Sequence, residues 1–318
     1  MQYRNLGRSA LKVSELCLGT MNFGPRTEEA VAFEMLDLAV SGGVNFIDTA
    51  DQYGGALGVG STEQLLGRWF ARSPSRRAQI VLATKVHEPM SNDINDRGLS
   101  ARHIVRACEA SLLRLGVDYI DLYQMHHIDR QAPMEEIWQA MDRLITQGKI
   151  VYVGSSNFPG WGISATNERR QARGQFGLVS EQGLYNLLVR TAELEVIPAC
   201  QAYGVGLLPW SPLAGGALAG PAEGQGRRQQ VKAISARHAD QIAAFEKLCQ
   251  ALGHAPSKVA HAWLLAQPGV ASVILGSASK SQLANGLEAT ALTLDSQTLG
   301  QLDEIFPPMG KAPEAYAW

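Results

Sequence analysis

The chain has 318 residues, of which 46% are hydrophobic and 18% are charged, a balance typical of a globular protein with a large core. Its formal net charge of −2 at pH 7 gives no electrostatic footprint for nucleic acid or for an anionic membrane surface. No apolar leader begins the chain and no run reaches the roughly 20 apolar residues that span a bilayer, so we expect a cytosolic protein that binds neither membrane nor nucleic acid.

The four cysteines lie far apart among apolar neighbours. Cys17, Cys108, Cys200 and Cys249 show no Cys-x-x-Cys spacing. This pattern predicts reduced thiols in the core rather than disulfides or a zinc site.

Strand and helix patterns alternate after a short N-terminal hairpin, which is predicted over residues 3–6 and 11–13. The core strands are predicted over residues 15–19, 44–47, 79–85, 119–126, 150–154, 178–182, 205–210 and 271–275. The helices are predicted over about residues 27–41, 62–70, 100–115, 133–147, 163–173, 192–203, 241–253 and 257–266, with two more near Lys280 and Asp295.

Three local features refine this prediction. Thr27 is expected to cap the first helix, whose core face would carry Val31, Met35, Leu38 and Ala39. Gly116 is expected to end the helix that begins at Ser100. Residues 212–240 are glycine-rich and polar without a regular pattern, which predicts a long lid or binding loop.

Seven or eight strands that alternate with helices, without a break resembling a linker, predict an α/β protein. We expect one (β/α)8 TIM barrel domain over residues 1–318, with an N-terminal β-hairpin, rather than two doubly wound domains. No Gly-x-Gly-x-x-Gly motif opens a helix after the first strand, which argues against a Rossmann domain.

Polar residues end three neighbouring predicted strands. Asp48, Lys85 and His126 stand at these ends, and Tyr53 follows in a glycine-flanked loop. The C-terminal ends of barrel strands meet at one rim, so we expect the four side chains to converge there. A lysine beside a tyrosine would lower the tyrosine pKa and make it a usable acid, an aspartate would hold the ammonium, and a histidine would hydrogen-bond a substrate carbonyl. Each residue alone would more often have a structural role at a strand end, but that explanation is much weaker for all four together.

Four motifs occur in an order and spacing that resemble the aldo-keto reductase superfamily: Asp48-Thr-Ala-Asp-Gln-Tyr53-Gly, Ala83-Thr-Lys85, Asp121-Leu-Tyr-Gln-Met-His126 and Gly154-Ser-Ser-Asn-Phe158. The resemblance implies a barrel that binds NADPH, less often NADH, and transfers hydride to the carbonyl carbon of an aldehyde or ketone. It also implies that Asp48, Tyr53, Lys85 and His126 form a catalytic tetrad in which Tyr53 is the general acid.

The same resemblance implies a set of cofactor contacts. Ser156, Asn157 and Gln182 match the residues that bind the nicotinamide carboxamide, and Trp210 matches the aromatic residue that stacks on the ring. The pyrophosphate would be bound by backbone N–H groups after Trp210, at the start of a long loop over the cofactor. The remaining matched positions are Thr20, Met21, Asp48, Ser211, Leu213, Gly215, Gly276, Ser277, Lys280, Gln282 and Asn285.

Two segments depart from the family pattern. His127 follows the tetrad histidine, and we expect it to bind substrate together with Arg130. A metal bound by His126 and His127 is not expected, because adjacent strand residues point to opposite faces. At the adenosine end Lys280 is the nearby cation and Asn285 falls one position before the usual asparagine, so NADPH should be preferred over NADH only modestly.

Two alternatives remain open. The segments 98–104, 123–130 and 201–206 resemble actinobacterial members of deoxysugar pathways, including NDP-hexose 2,3-enoyl reductases. Such a substrate needs cations for its diphosphate, and the candidates are His127, Arg130, Arg97, Arg102, Arg227 and Arg228. A nucleotide-sensing protein similar to potassium-channel β-subunits, which retain much of the tetrad, is the second alternative.

Overall fold

Eight parallel strands and the surrounding helices build a nearly closed barrel in the computed structural model, which describes residues 1–220 and 228–317. The antiparallel hairpin that precedes it consists of β1 (Tyr3–Asn5) and β2 (Lys12–Ser14). The barrel strands are β3 (Leu16–Gly19), β4 (Phe46–Asp48), β5 (Val81–Val86), β6 (Ile120–Met125), β7 (Ile150–Ser156), β8 (Ser180–Leu184), β9 (Gly206–Trp210) and β10 (Val273–Leu275). The predicted (β/α)8 barrel with an N-terminal hairpin is confirmed.

Helices cover the outside of the barrel. They are α1 (Glu29–Ser41), α2 (Ser61–Ala71), α3 (Pro74–Gln79), α4 (Ala101–Leu115), α5 (Met134–Thr146), α6 (Gly160–Gln171), α7 (Val196–Tyr203), α8 (Arg228–Arg237), α9 (Ala239–Leu252), α10 (Pro256–Ala266), α11 (Lys280–Leu287), α12 (Ser296–Ile305) and α13 (Glu314–Ala317). Within the described residues, none of these helices is long and apolar enough to cross a bilayer.

The strand order is β10-β3-β4-β5-β6-β7-β8-β9, and all neighbours in it are parallel. Backbone hydrogen bonds bring the two ends of this sheet together. The N–H of Leu207 donates to the carbonyl of Gly269 at 2.8 Å, and the N–H of Ala271 donates to the carbonyl of Leu207 at 2.9 Å. The segment that enters β10 therefore closes the barrel against β9.

The barrel interior changes from apolar to polar along its axis. Leu6 and Val13 of the hairpin pack in one buried cluster with alternate strand residues such as Phe46, Ala83 and Leu122. Because strand side chains alternate with a period of two, the next residues on the same face are Asp48, Lys85 and Gln124, all of which are buried. The hairpin thus closes the apolar end, and polar groups collect at the C-terminal rim.

The first helix differs from its prediction at its start and in its core face. Thr27 is not its cap, because the Thr27 hydroxyl donates to the carbonyl of Ala278 at 3.0 Å and α1 begins at Glu29. Val31 is exposed and Leu38 is only half-buried, whereas the buried face consists of Ala32, Met35, Leu36 and Ala39. The buried face of α1 is therefore rotated by about one residue from the predicted one. The small Ala32 faces the barrel, where the larger Val31 was predicted.

The predicted long loop is wrong in its second half, since α8 occupies residues 228–237 and α9 begins at Ala239. The sequence of α8 contains good helix formers without glycine or proline, which overrides its polar character. Residues 221–227, and with them Arg227, lie outside the described residues. The prediction for α4 is confirmed, because the Ser100 hydroxyl accepts from the N–H of His103 and Gly116 ends the helix with a φ of 62°. The four cysteines are buried and free, as predicted.

A substitution in the hairpin turn tests whether this turn packs against the barrel. A Cβ on Gly7 would lie 2.2 Å from the carbonyl oxygen of Val179, and Gly7 also has a positive φ of 56°. Gly148 has a φ of 69°, but its Cβ would meet nothing within 4 Å. We expect Gly148→Ala to cost about 1 kcal/mol of unfolding free energy, and Gly7→Ala roughly 1–3 kcal/mol more. Guanidinium denaturation measures both, and equal costs would show that the turn is not packed against the barrel.

Candidate active site

A buried lysine at the end of β5 is the centre of the site. The ammonium of Lys85 donates to Asp48 Oδ2 at 2.6 Å, to the carbonyl of Thr49 at 2.9 Å and to the hydroxyl of Tyr53 at 3.1 Å. Lys85 is fully buried. Its three N–H donors therefore have three acceptors, which is what a buried ammonium requires.

Asp48 is fixed from its other side by two glutamines. Its Oδ1 accepts from Gln124 Nε2 and from Gln182 Nε2, each at 2.9 Å. Gln124 lies on β6 two residues before His126, so the strand period places it in the barrel interior. Sequence reasoning assigned no role to Gln124, although this period was a signal that could have found it.

The protonation of the site is set by burial and by the Asp48–Lys85 pair. Burial opposes the charge of Lys85, but attraction by Asp48 and Tyr53 outweighs it and raises the Lys85 pKa above its ordinary value. Burial raises the pKa of Tyr53, Lys85 lowers it, and Asp48 raises it further. The expectation that Lys85 would lower the Tyr53 pKa overall is wrong, because burial is the larger effect. Tyr53 consequently holds its proton at neutral pH.

His126 follows β6 and its imidazole lies beside the tyrosine. The two ring centroids are 6.0 Å apart in an edge-on arrangement. Burial, the Lys85 charge and two neighbouring histidines lower the pKa of His126 to about 2, so its imidazole is neutral. Its Nδ1 has no hydrogen-bond partner among the described residues. Asp48, Tyr53, Lys85 and His126 are thus brought together as the sequence predicted.

His126 and His127 do not point to opposite faces. Their rings stack with centroids 5.0 Å apart and planes within 7° of parallel. The expected alternation is wrong here because β6 ends at Met125, before the pair. Within residues 1–220 and 228–317, no group of three or more His, Cys, Asp or Glu side chains has the arrangement of a metal site.

The positions matched to the nicotinamide meet beside His126. Asn157 Nδ2 donates to the carbonyl of His126 at 3.1 Å and to Ser156 Oγ at 3.0 Å. The indole N–H of Trp210 donates to Asn157 Oδ1 at 3.2 Å. Gln182 joins them because its carbonyl accepts from the N–H of Asn157 at 3.0 Å. The ends of β6, β7, β8 and β9 therefore form one continuous polar surface.

Backbone strain marks the same surface. Asn157, Ser211 and Ala214 have positive φ values of 56°, 55° and 49°, although none is glycine. Such residues cluster at binding sites. Leu213 has φ −104° and ψ 19°, and Ala214 with its positive φ follows it. Ser211 Oγ accepts from the N–H of Gly215 at 3.1 Å and holds this turn. The N–H groups of Ala214 and Gly216 donate to the carbonyls of Ser211 and Leu213, at 3.0 Å and 2.8 Å.

The positions matched to the adenosine end lie between β10 and α11. The carbonyl of Gly276 accepts from Asn22 Nδ2 at 2.8 Å, Ser277 is buried, and Gln282 Oε1 accepts from the N–H of Ala278 at 2.9 Å. Lys280 pairs with Glu34 at 2.7 Å on the exposed surface. The other matched positions are Asn285 within α11, Met21, which is 45% exposed, and Thr20, whose hydroxyl donates to the carbonyl of Asp48 at 3.0 Å.

The two residues expected to bind substrate have different partners. His127 Nε2 lies 3.1 Å from Glu88 Oε1. The guanidinium of Arg130 lies 5.7 Å from the ring centroid of Trp161. Sequence reasoning did not single out Glu88, which follows β5 three residues after Lys85.

Glu181 is a further residue that sequence reasoning missed. It is fully buried on β8, where Oε1 accepts from the N–H of Phe158 at 3.0 Å and Oε2 contacts the hydroxyl of Ser155. Burial raises its pKa to about 8. The carboxyl group holds the turn that presents Asn157. The available signal was an isolated acidic residue within a buried strand, directly before Gln182.

Comparisons with known proteins agree with this geometry. The model of the Aldo/keto reductase family matches residues 15–306. The chain is 47% identical to the uncharacterized oxidoreductase YrpG of Bacillus subtilis, over 100% of each chain. It is 32% identical to a probable voltage-gated potassium channel subunit beta of Arabidopsis thaliana, covering 99% of this chain and 100% of that protein. It is 31% identical to versiconal hemiacetal acetate reductase of Aspergillus parasiticus, covering 98% and 99%.

Glu181→Gln tests the buried acid. The pKa of Glu181 is about 8 in the folded protein and near 4.5 for an ordinary glutamate. Between these two values only the unfolded chain loses the proton, so the stability of the folded protein falls as the pH rises. Glutamine does not ionise and can make the same two contacts. We expect the unfolding free energy of Glu181→Gln, relative to the parent protein, to rise by roughly 2 kcal/mol between about pH 6 and about pH 8.

Denaturation at the two pH values measures this difference. Glu288→Gln removes an exposed carboxylate and is the matched control. A stability difference for Glu181→Gln that is as independent of pH as that of the control would contradict the assignment of a buried, protonated acid.

Proposed function

The chain belongs to the aldo/keto reductase family and is an NAD(P)H-dependent oxidoreductase, and we propose that it reduces the carbonyl group of an aldehyde or ketone with Tyr53 as the general acid. Members of the family act on small-molecule carbonyl substrates. The observation that carries the proposal is the hydrogen bond of 3.1 Å from the Lys85 ammonium to the Tyr53 hydroxyl, with Lys85 held by Asp48.

Tyr53, Lys85 and His126 each have a separate role in the transfer of a proton to the carbonyl oxygen. When bound, the reduced cofactor supplies a hydride to the carbonyl carbon. As the carbonyl oxygen gains negative charge, Tyr53 gives it a proton, and the adjacent Lys85 ammonium stabilises the phenolate that remains. The neutral imidazole of His126 offers an N–H to the same oxygen. The product is an alcohol, and Tyr53 regains a proton from solvent.

The cofactor would be held along the rim from β7 to α11. Gln182 donates to Asp48 through Nε2, so its Oε1 is available to accept from the nicotinamide carboxamide, beside Ser156 and Asn157. Trp210 supplies an aromatic face, and the turn of Ser211, Leu213 and Gly215 would contact the pyrophosphate, for which the N–H of Gly215 would exchange its bond to Ser211 Oγ for one to a phosphate oxygen. Gly276, Ser277, Gln282 and Asn285 would line the adenosine end with Thr20 and Met21 nearby. These assignments are supported by the strained backbone at Asn157 and Ser211.

We propose NADPH as the preferred cofactor, with NADH also accepted. Lys280 is the cation that would contact the 2′-phosphate, and it is more than half exposed and paired with Glu34. An exposed lysine contributes little to affinity, so the preference should be modest. We also propose that residues 1–318 form one domain of a cytosolic protein. The family match over residues 15–306 and the four free thiols support this.

A nucleotide-binding role without turnover is the second candidate. It is favoured by the 32% identity to a probable voltage-gated potassium channel subunit beta. The deoxysugar alternative has weaker support. Arg130 lies over Trp161 and His127 contacts Glu88, so neither is arranged as part of a cationic diphosphate site.

Tyr53→Phe tests the reductase proposal. Removing the phenolic proton should lower kcat for a reactive aldehyde such as 4-nitrobenzaldehyde by about 10²–10⁴-fold while NADPH binding persists, because the proton is needed only in the chemical step. Tyr123→Phe removes a buried hydroxyl that donates to the carbonyl of Ile104 and serves as the control, with kcat expected to stay near the parent value. Undiminished turnover by Tyr53→Phe would rule out Tyr53 as the acid. Tight NADPH binding without turnover in the parent protein would favour the second candidate.

Lys280→Ala tests the cofactor preference. The ratio of Kd for NADH to Kd for NADPH should fall by about fivefold, because one exposed ion pair is worth at most about 1 kcal/mol. Fluorescence titration of both cofactors measures the ratio. Lys149→Ala, which removes a lysine paired with Glu109 elsewhere on the surface, should leave the ratio unchanged. A preference of several hundredfold that survives Lys280→Ala would assign the phosphate contact to another residue.

A further inference from the structure

A carboxylate and two histidines lie next to the proposed catalytic histidine, and we call His87, Glu88 and His127 the Glu88 rim. The ring of His127 stacks on His126 with a centroid distance of 5.0 Å, and the ring of His87 meets His127 edge-on at 5.4 Å. Glu88 Oε1 lies 3.1 Å from His127 Nε2 and 3.4 Å from His87 Nδ1. The rim therefore adjoins the place where the substrate carbonyl must lie.

The Glu88 rim contains one carboxyl group and no lysine or arginine. Burial lowers the pKa of His127 more than Glu88 raises it, and His87 lowers it further, so His127 is neutral at pH 7. A neutral imidazole has one N–H and one acceptor nitrogen, and Nε2 of His127 is the nitrogen that faces Glu88 Oε1, at 3.1 Å. Glu88 Oε2 has no hydrogen-bond partner within residues 1–220 and 228–317. The rim thus presents acceptors without a compensating cation of its own.

The surrounding loops add to this charge. Residues 87–99 and 127–133 carry four acidic side chains, Glu88, Asp93, Asp96 and Asp129, against two arginines, Arg97 and Arg130. Asp129 accepts from the N–H groups of Leu99, Gln131 and Ala132, and these bonds help to lower its pKa, which burial opposes. Lys85, two residues before His87 in the chain, is fully buried and paired with Asp48. An anionic group on the substrate would therefore meet repulsion at this side of the mouth.

We propose that Glu88 and His127 are specificity-determining residues, which select an uncharged carbonyl substrate bearing a hydroxyl or other hydrogen-bond donor beside the carbonyl and reject anionic substrates. The inference rests on the proposed function, because it needs the carbonyl to lie against Tyr53 and His126. A donor group on the substrate would reach Glu88 Oε2 or His127 Nδ1. A carboxylate or diphosphate in the same place would have no donor and would face the Glu88 charge.

Three benzaldehydes test the proposal with matched shapes. The probes are benzaldehyde, 3-(hydroxymethyl)benzaldehyde and 3-carboxybenzaldehyde. In the two substituted compounds, the distance between the aldehyde carbon and the carbon of the meta substituent is similar to the distance between the stacked rings of His126 and His127. An aldehyde beside His126 would therefore place the substituent beside His127. The measured quantity is the ratio of kcat/KM for the hydroxymethyl compound to kcat/KM for the carboxy compound, each normalised to benzaldehyde. We expect a ratio of at least about tenfold, because the donor gains a hydrogen bond and the anion meets repulsion.

Glu88→Gln removes the charge and keeps the shape, so the ratio should fall by about tenfold, mostly through faster reduction of 3-carboxybenzaldehyde. Intrinsic electronic effects of the substituents cancel in this comparison. Glu135→Gln removes an exposed carboxylate at the start of α5 that pairs with Arg169, and it should leave the ratio unchanged. Asp96 and Asp129 remain in both variants.

The outcomes separate this inference from the proposed function. If benzaldehyde is reduced but the ratio is near one, or is the same in Glu88→Gln, the specificity assignment is overturned and the reductase remains. If the parent protein reduces none of the three aldehydes, the proposed function fails. In that case, calorimetry on the NADP⁺-loaded protein gives the ratio of the affinities for the hydroxymethyl and carboxy compounds, and equal affinities overturn the inference too.

Discussion

The ion pair between Asp48 and Lys85 is the constraint on which the rest of the structure depends. An ammonium buried inside a barrel is tolerated only when its charge and all three N–H donors are matched, and Asp48, Thr49 and Tyr53 provide this match. Gln124 and Gln182 complete the hydrogen bonding of Asp48, so β4, β5, β6 and β8 are tied together by one network. Removing one partner of such a pair typically costs about 3–5 kcal/mol. Site geometry and barrel stability therefore depend on the same contacts.

The same network is compatible with the proposed reduction at neutral pH. Burial keeps the proton on Tyr53 and keeps His126 neutral, so both groups can donate to a carbonyl oxygen. In the proposed reaction Lys85 would stabilise the phenolate that Tyr53 becomes after it gives up its proton, across the present hydrogen bond of 3.1 Å. Beside it, a protonated Glu181 supports the strained turn at Asn157. Polar groups that are costly to bury thus hold the proposed cofactor surface in a defined shape.

The sequence predicts the barrel and the convergence of Asp48, Tyr53, Lys85 and His126, because strand ends in this architecture share one rim and their residue types are recognisable. It does not predict Glu88 or Glu181, whose positions depend on which loop or turn packs beside them. Patterns also fail where a different local effect decides the structure. Residues 228–237 form a helix although they are polar, because their helix propensity is high. His127 stacks on His126 because β6 ends at Met125, before the pair. Burial raises the pKa of Tyr53 more than Lys85 lowers it.

The pH dependence of the ¹³Cε signal of Lys85 gives its pKa and shows whether Asp48 keeps this buried lysine charged. Selective ¹³C-lysine labelling gives the signal, and its loss in Lys85→Met assigns it. The account predicts that Lys85 in the parent protein stays protonated beyond the ordinary lysine value near 10.4, and that Asp48→Asn lowers its pKa below this value, since burial then acts without a counter-charge. A Lys85 that titrates at or below the ordinary value in the parent protein, or one unaffected by Asp48→Asn, would contradict the claim that this pair holds a charged lysine against Tyr53.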